Sequence, residues 1–205
     1  MKIDAKMSAW ILPIHLYALF IPLIFIPMIN QNESFLSARI HDQQSLFLAV
    51  LFLMAGSFFE VCQNHSDEWY VTESSASGNG YSLLDGLFSF SIVMGQCLIL
   101  YSFIGDHTLI KCLCFFLVLA MPIMYYKKIL PFLPLTIIGA ANTFSAYFLF
   151  EQEIVFLQFL FIAFTVIFFN KLLKTENQFY HGLTTLFASS GIIFLYLAIE
   201  ISSNG

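Results

Sequence analysis

Apolar runs of about 20 residues, separated by short polar connections, recur along almost the whole chain. That repetition leaves few folds open. A helix of that length spans the hydrocarbon layer of a bilayer, and inside lipid every backbone N–H and C=O needs a partner within the protein. The runs lie near 9–29, 45–62, 81–104, 109–126, 129–150, 154–170 and 181–200. They predict an all-α membrane protein, a seven-transmembrane helix bundle that takes up residues 1–205 as a single domain. Only 10% of the residues are charged and 59% are apolar, against about 25% charged in soluble domains. Localisation follows as integral membrane, multi-pass. Pro13, Pro22, Pro27, Pro122, Pro131 and Pro134 fall inside runs and are tolerated where neighbouring helices satisfy the freed carbonyls.

The first run has the basic start of a signal peptide, but its apolar stretch exceeds the usual length and no A-x-A site follows. It reads as the first span. Of the eight basic residues, Lys2, Lys6, Lys127, Lys128, Lys171 and Lys174 fall on the amino-terminal side and only Arg39 and Lys111 opposite. Short cytoplasmic loops retain Lys and Arg, so the amino terminus is expected in the cytoplasm and the carboxyl terminus on the other side. The net charge of -5 with no basic patch speaks against a nucleic-acid partner. Membrane lipids are the expected partners, and the sequence names no protein partner. Cys62, Cys97, Cys112 and Cys114 form no C-x-x-C and read as packing residues.

Three ionisable residues share one side and one depth. Glu60 lies near the cytoplasmic end of the second run, Asp85 early in the third, and His181 at the start of the seventh. Each stands roughly 5–10 Å from the nearest polar flank, where an unpartnered ionisable group costs about 1–3 kcal/mol. Polar stripes continue inward from them: Ser89 and Gln96 after Asp85, Thr184, Thr185 and Ser189 after His181, Gly56 and Ser57 before Glu60. One reading is a shared site. The other is that Glu60 snorkels, Asp85 caps its own helix and His181 sits among headgroups.

Two carboxylates and an imidazole suit a divalent metal, with zinc, iron and manganese as candidates. Without a metal the trio would serve as a proton relay or bind a cationic headgroup. His15, on the same face in the first run, is a further candidate ligand, although a lone helix histidine is more often a packing residue. His65 could swing in from the loop that follows. His41 and His107 belong to the far side, Asn142 reads as an interhelical hydrogen bond, and the Phe-rich sixth run as lipid-facing.

"GSFFEVCQN", "LLDGLFSFSIVMG" and "NQFYHGLTTLFASSGIIFLYL" resemble the motifs of the CREST-type superfamily of seven-span proteins. That superfamily includes alkaline ceramidases, progestin and adipoQ receptors and the myomaker-like proteins. Its members carry a serine and a histidine four apart in the second span, an aspartate in the third and H-x-x-x-H in the last; the histidines hold zinc, and its enzymes hydrolyse lipid amides or esters. With Cys62 aligned, Glu60 stands in place of the first histidine and Gly56 in place of the serine, with Ser57 one position off. Asn177 stands where the last span's first histidine belongs, and His181 where its second does. The resemblance implies a divergent member in which Glu60, Asp85 and His181 hold a metal and Asp85 and Ser57 act in catalysis. A metal-dependent lipid hydrolase is thus one expectation. The alternative is a non-catalytic seven-helix protein acting in lipid or partner binding. The chain lacks the paired broken helices of a small transporter and a lysine in the last run, which disfavours a retinal protein.

Overall fold

The structure, a computed structural model, describes residues 11–65, 83–127, 133–175 and 177–205. Among these the ordered elements are all helical, with no strand. Helices α1 (Leu12–Phe20) and α2 (Phe25–Gln31) are joined by a 3-10 turn, Ile21–Ile24, into one apolar rod. Pro22 stands in that turn. It lacks an N–H and its ring crowds the carbonyl one turn back, which accounts for the local change of helical type. The short α3 (Glu33–Arg39) leads to α4 (Gln43–His65), followed by α5 (Leu83–Ile104), α6 (Thr108–Lys127) and α7 (Leu133–Phe150). A second 3-10 turn, Glu153–Phe156, opens α8 (Leu157–Thr175), and the last rod is α9 (Gln178–Ser190) and α10 (Ile192–Asn204).

Six stretches are long and apolar enough to cross a membrane: Leu12–Gln31, Gln43–Gln63, Gly86–Ile104, Leu133–Phe150, Glu153–Leu172 and Gln178–Asn204. The apolar part of α6, Thr108–Met124, is shorter. The chain is therefore a helical, multi-pass, membrane-type protein with six such helices among the described residues, where the sequence led to an expectation of seven.

Helices α4 and α5 pack most closely. A Cβ on Gly56 would stand 2.6 Å from Ile92 Cδ1, and one on Gly95 would stand 2.7 Å from Leu53 Cγ and 3.1 Å from the Ala49 carbonyl oxygen. Both glycines are required by this approach, the membrane counterpart of small-residue helix interfaces. At the far end of the pair, Gly105 ends α5 with φ +82°, a left-handed conformation open to glycine. A Cβ there would also strike the His41 ring. Asp42 caps α4: its carboxylate accepts from Gln44 N at 3.0 Å and from the Ser45 hydroxyl at 2.5 Å. The Ser45 hydrogen bond outweighs desolvation and holds the Asp42 carboxyl below its ordinary range.

The far half of the bundle is filled with buried apolar residues, Phe25, Met28, Leu46, Ile99, Phe150 and Leu195 among them. A second apolar cluster, including Val93, Leu117, Met121 and Ile138, joins α5, α6 and α7. Asn142, buried between helices, donates through Nδ2 to Gln96 O at 3.1 Å and to Gln96 Oε1 at 2.8 Å, the interhelical bond expected of it. The cysteines are free thiols: Cys97 is buried, Cys62 and Cys114 half-buried, and Cys112 exposed. His41 and His107 are both exposed. Only 17% of the Glu153–Leu172 span is buried, but its exposed large apolar residues are Leu157, Leu160 and Ile167. Its phenylalanines are half-buried, and Phe161, Phe164 and Phe168 pack against Phe187 of α9. This corrects the expectation of a lipid-facing Phe-rich run: aliphatic residues face outward and the rings turn toward the last rod.

Candidate metal centre

Histidine in the first turn of α1, glutamate in the last turns of α4 and histidine in the first turn of α9 meet at one end of the bundle. His15 is fully buried, Glu60 nearly so at 13% side-chain exposure, and His181 stands at 21%. His181 Nε2 lies 3.1 Å from His15 Nε2 and 3.4 Å from Glu60 Oε1. His15 Nε2 lies 3.9 Å from the same oxygen. The two rings meet edge to face, 5.1 Å between centroids. Thr185 donates its hydroxyl to Glu60 Oε1 at 2.9 Å.

Local sequence explains each placement. Pro13 in the first turn of α1 starts that helix just ahead of His15. Asn177 caps α9, its Oδ1 accepting from Phe179 N at 2.9 Å, and thereby fixes where His181 enters the bundle. Thr185 follows His181 by one turn, so both face α4. Gly56 lets α4 lie against α5 one turn from Glu60.

This arrangement brings together two nitrogens and one carboxylate oxygen, all atoms that carry lone pairs. Two arrangements can hold such a convergence: an imidazole N–H donated to the other ring or to the Glu60 carboxylate, according to the tautomer, or a metal ion bound by all three. The donor set also fits the second. Around a tetrahedral ion with bonds near 2.0–2.1 Å, ligand atoms stand about 3.3 Å apart. The three separations here, 3.1, 3.4 and 3.9 Å, bracket that spacing, and all donor atoms lie within 4.8 Å of one another. Two histidines and a glutamate are also a known ligand set of catalytic zinc.

Of the residues expected from sequence, Glu60 and His181 therefore stand side by side. Ser57 does not touch them in this cluster; it is buried on the wall of the cavity beneath. Asp85 lies in the first turn of α5, and its side chain, like that of His65, lies outside the described residues. His15, secondary in the sequence reading, supplies the third donor atom. Its signal was depth: it opens an apolar rod at the end of the chain's bundle where Glu60 and His181 also lie.

The cavity beneath the cluster has a volume of about 100 Å³, with Ser57, Glu60, Gln96, Thr185 and Ser189 among otherwise mainly apolar walls. It can hold a few methylene groups next to the polar cluster. No family model, curated protein or solved structure matches the chain.

Proposed function

We propose that the chain is a seven-span membrane protein in which His15, Glu60 and His181 hold a divalent metal, zinc foremost, and that it hydrolyses an amide or ester bond of a membrane lipid. In this reading α6 is the fourth span, the amino terminus is cytoplasmic and the carboxyl terminus lies opposite. The observation that carries the reading is the meeting of two imidazole nitrogens and a carboxylate oxygen over a largely apolar cavity. The partial likeness to the CREST-type superfamily, with a lipid-hydrolysing branch, points the same way.

When bound, a divalent ion supplies Lewis-acid polarisation of a carbonyl group. The chain's own residues do the rest. Thr185 holds Glu60 in one orientation, as outer-shell hydroxyls do for carboxylate ligands. The apolar walls exclude bulk water and receive hydrocarbon. Ser57, one turn before Glu60 on the same helix, is placed on the cavity wall to donate a hydrogen bond to the carbonyl oxygen of the linkage. Asp85, at the same end of the bundle, is the proposed general base.

Two measurements on detergent-purified protein check this. Elemental analysis is expected to find about one zinc per chain in wild type and almost none in His181→Ala. In liposomes, a fluorogenic lipid amide or ester is expected to turn over, with a loss of at least about 100-fold in His181→Ala. Wild-type protein without metal and without turnover would leave the rival, a non-catalytic protein acting in lipid or partner binding.

A further inference from the structure

The cavity beneath the metal cluster is closed at its inner end by side chains that are held in place. Inward from the level of His15, Glu60 and His181, hydroxyl groups come first: Ser57 and Thr185 one turn in, and Ser189 one turn further. Beyond them the walls are apolar except for Gln96. Leu53 lies two turns from Glu60 on α4, Ile192 three turns from His181 along the last rod, and Pro22 two turns from His15. Leu53 seats on Gly95, where a Cβ would stand 2.7 Å from its Cγ, and Ile92 seats on Gly56, where a Cβ would stand 2.6 Å from its Cδ1. Each fills a notch in the opposite helix, so neither swings aside unless α4 and α5 separate. Gln96 is tied from behind, its Oε1 accepting from Asn142 Nδ2 at 2.8 Å.

The volume decides what such a floor admits. A cavity of about 150 Å³ accommodates the six carbons of benzene, so the volume of about 100 Å³ here takes about four carbons in proportion. A second cavity, of about 80 Å³, adjoins it, and Leu135 and Ala188 line both, which puts these two side chains on the shared wall. The orientation of the linkage follows from the register of α4 and α5. Gly56 faces Ile92 and Leu53 faces Gly95, so in this antiparallel pair Glu60 is level with Phe88, and Asp85 stands about one turn further out. In hydrolysis, water adds to the carbonyl carbon, the bond from that carbon to oxygen or nitrogen breaks, and the proton taken from water passes to the leaving heteroatom. With Asp85 as the base, the leaving heteroatom faces outward and the acyl carbons face the floor.

We infer that this cavity receives the acyl half of the lipid linkage and limits it to about two to four carbons, the long chain being on the alcohol or amine half, which stays in the bilayer. The chemistry rests on the proposed hydrolase reading, whereas the size limit rests on the cavity alone. An acetyl to butyryl group fills the space and keeps its carbonyl oxygen beside Ser57. A longer acyl chain meets Leu53 and Ile92 and has nowhere to extend.

Esters of hexadecanol in liposomes test it, with acetyl, butyryl, octanoyl and hexadecanoyl groups, beside butyl hexadecanoate, in which the long chain is on the acyl side. Butyryl is expected to be cleaved about tenfold faster than acetyl, since two further methylenes are buried. The octanoyl and hexadecanoyl esters and butyl hexadecanoate are expected to be cleaved at least about tenfold more slowly than butyryl. Leu135→Ala, which opens the cavity into its neighbour, is expected to move the preference to octanoyl. Ala188→Leu, which fills the cavity, is expected to leave only the acetyl ester cleaved. Ketones that join the same hexadecyl chain to a methyl, propyl or heptyl group resist hydrolysis and report binding without turnover; the propyl ketone is expected to raise the unfolding midpoint of the purified protein most. That order of midpoints with no ester cleaved overturns the hydrolase reading and keeps the size limit. Octanoyl, hexadecanoyl or butyl hexadecanoate cleavage as fast as butyryl, midpoints that no ketone raises or that ignore ketone length, or a preference unchanged in both variants overturns the assignment.

Discussion

Replacing His15 with alanine is expected to weaken zinc binding about 100-fold or more, because each ligand of a protein zinc site carries about 3 kcal/mol of the apparent binding energy. Its companion, Thr185→Val, is expected to cost about 10- to 100-fold, the range for groups that only orient a ligand. His107→Ala, at an exposed far-side position, is expected to change nothing and serves as the control. Isothermal titration of metal-stripped protein distinguishes these outcomes. The affinity of the wild type should also fall on acidification, since protons compete with the metal for its ligand atoms. An unchanged affinity in His15→Ala would remove this residue from the site and return it to the role of a buried packing histidine.

The second large effect concerns the helix pair that carries Glu60. Gly95→Leu is expected to destabilise the protein by about 3 kcal/mol or more. A side chain at that position meets Leu53 on one side and the Ala49 carbonyl oxygen on the other. The leucine can turn away, but the backbone oxygen can move only if α4 moves, and overpacking of this kind typically costs about 1–3 kcal/mol with larger values where backbone is involved. Gly191→Ala is the matched control: its nearest neighbours would stand 3.6 Å or more from the new Cβ, an ordinary contact, and its φ of -55° is helical. That substitution should be neutral or mildly stabilising. Thermal unfolding in detergent, followed by thiol-reactive dye, reads both. Equal midpoints for Gly95→Leu and wild type would mean that α4 and α5 are not held this closely.

Depth was legible in the sequence, and direction around each helix was not. The position of Glu60 and His181 relative to the ends of their apolar runs placed them at one level, and the structure brings them together. His15 had the same depth, but whether a residue in an almost wholly apolar helix faces lipid or protein depends on the rotation of that helix. Along Leu12–Gln31 few polar residues mark a face, so the rotation is set by packing against α4 and α9. Asn177 shows a different limit. Compared with a family motif it is a missing ligand, whereas its local role is to cap α9, a role that depends on where the helix starts. Asn142 was legible as an interhelical donor, yet its partner Gln96 belongs to another span, and pairings between spans are settled by tertiary structure. The division of the last rod at Gly191 left no mark in the hydropathy pattern, because glycine there keeps a helical conformation.

The most direct measurement of the central claim is the X-ray absorption spectrum at the zinc edge of the zinc-loaded, detergent-purified protein. Two imidazole nitrogens and a carboxylate oxygen at about 2.0–2.1 Å, without sulfur, are expected for wild type. In His15→Ala one imidazole should be missing. A protein that retains no zinc, or a spectrum showing sulfur at about 2.3 Å, would contradict a centre built from His15, Glu60 and His181.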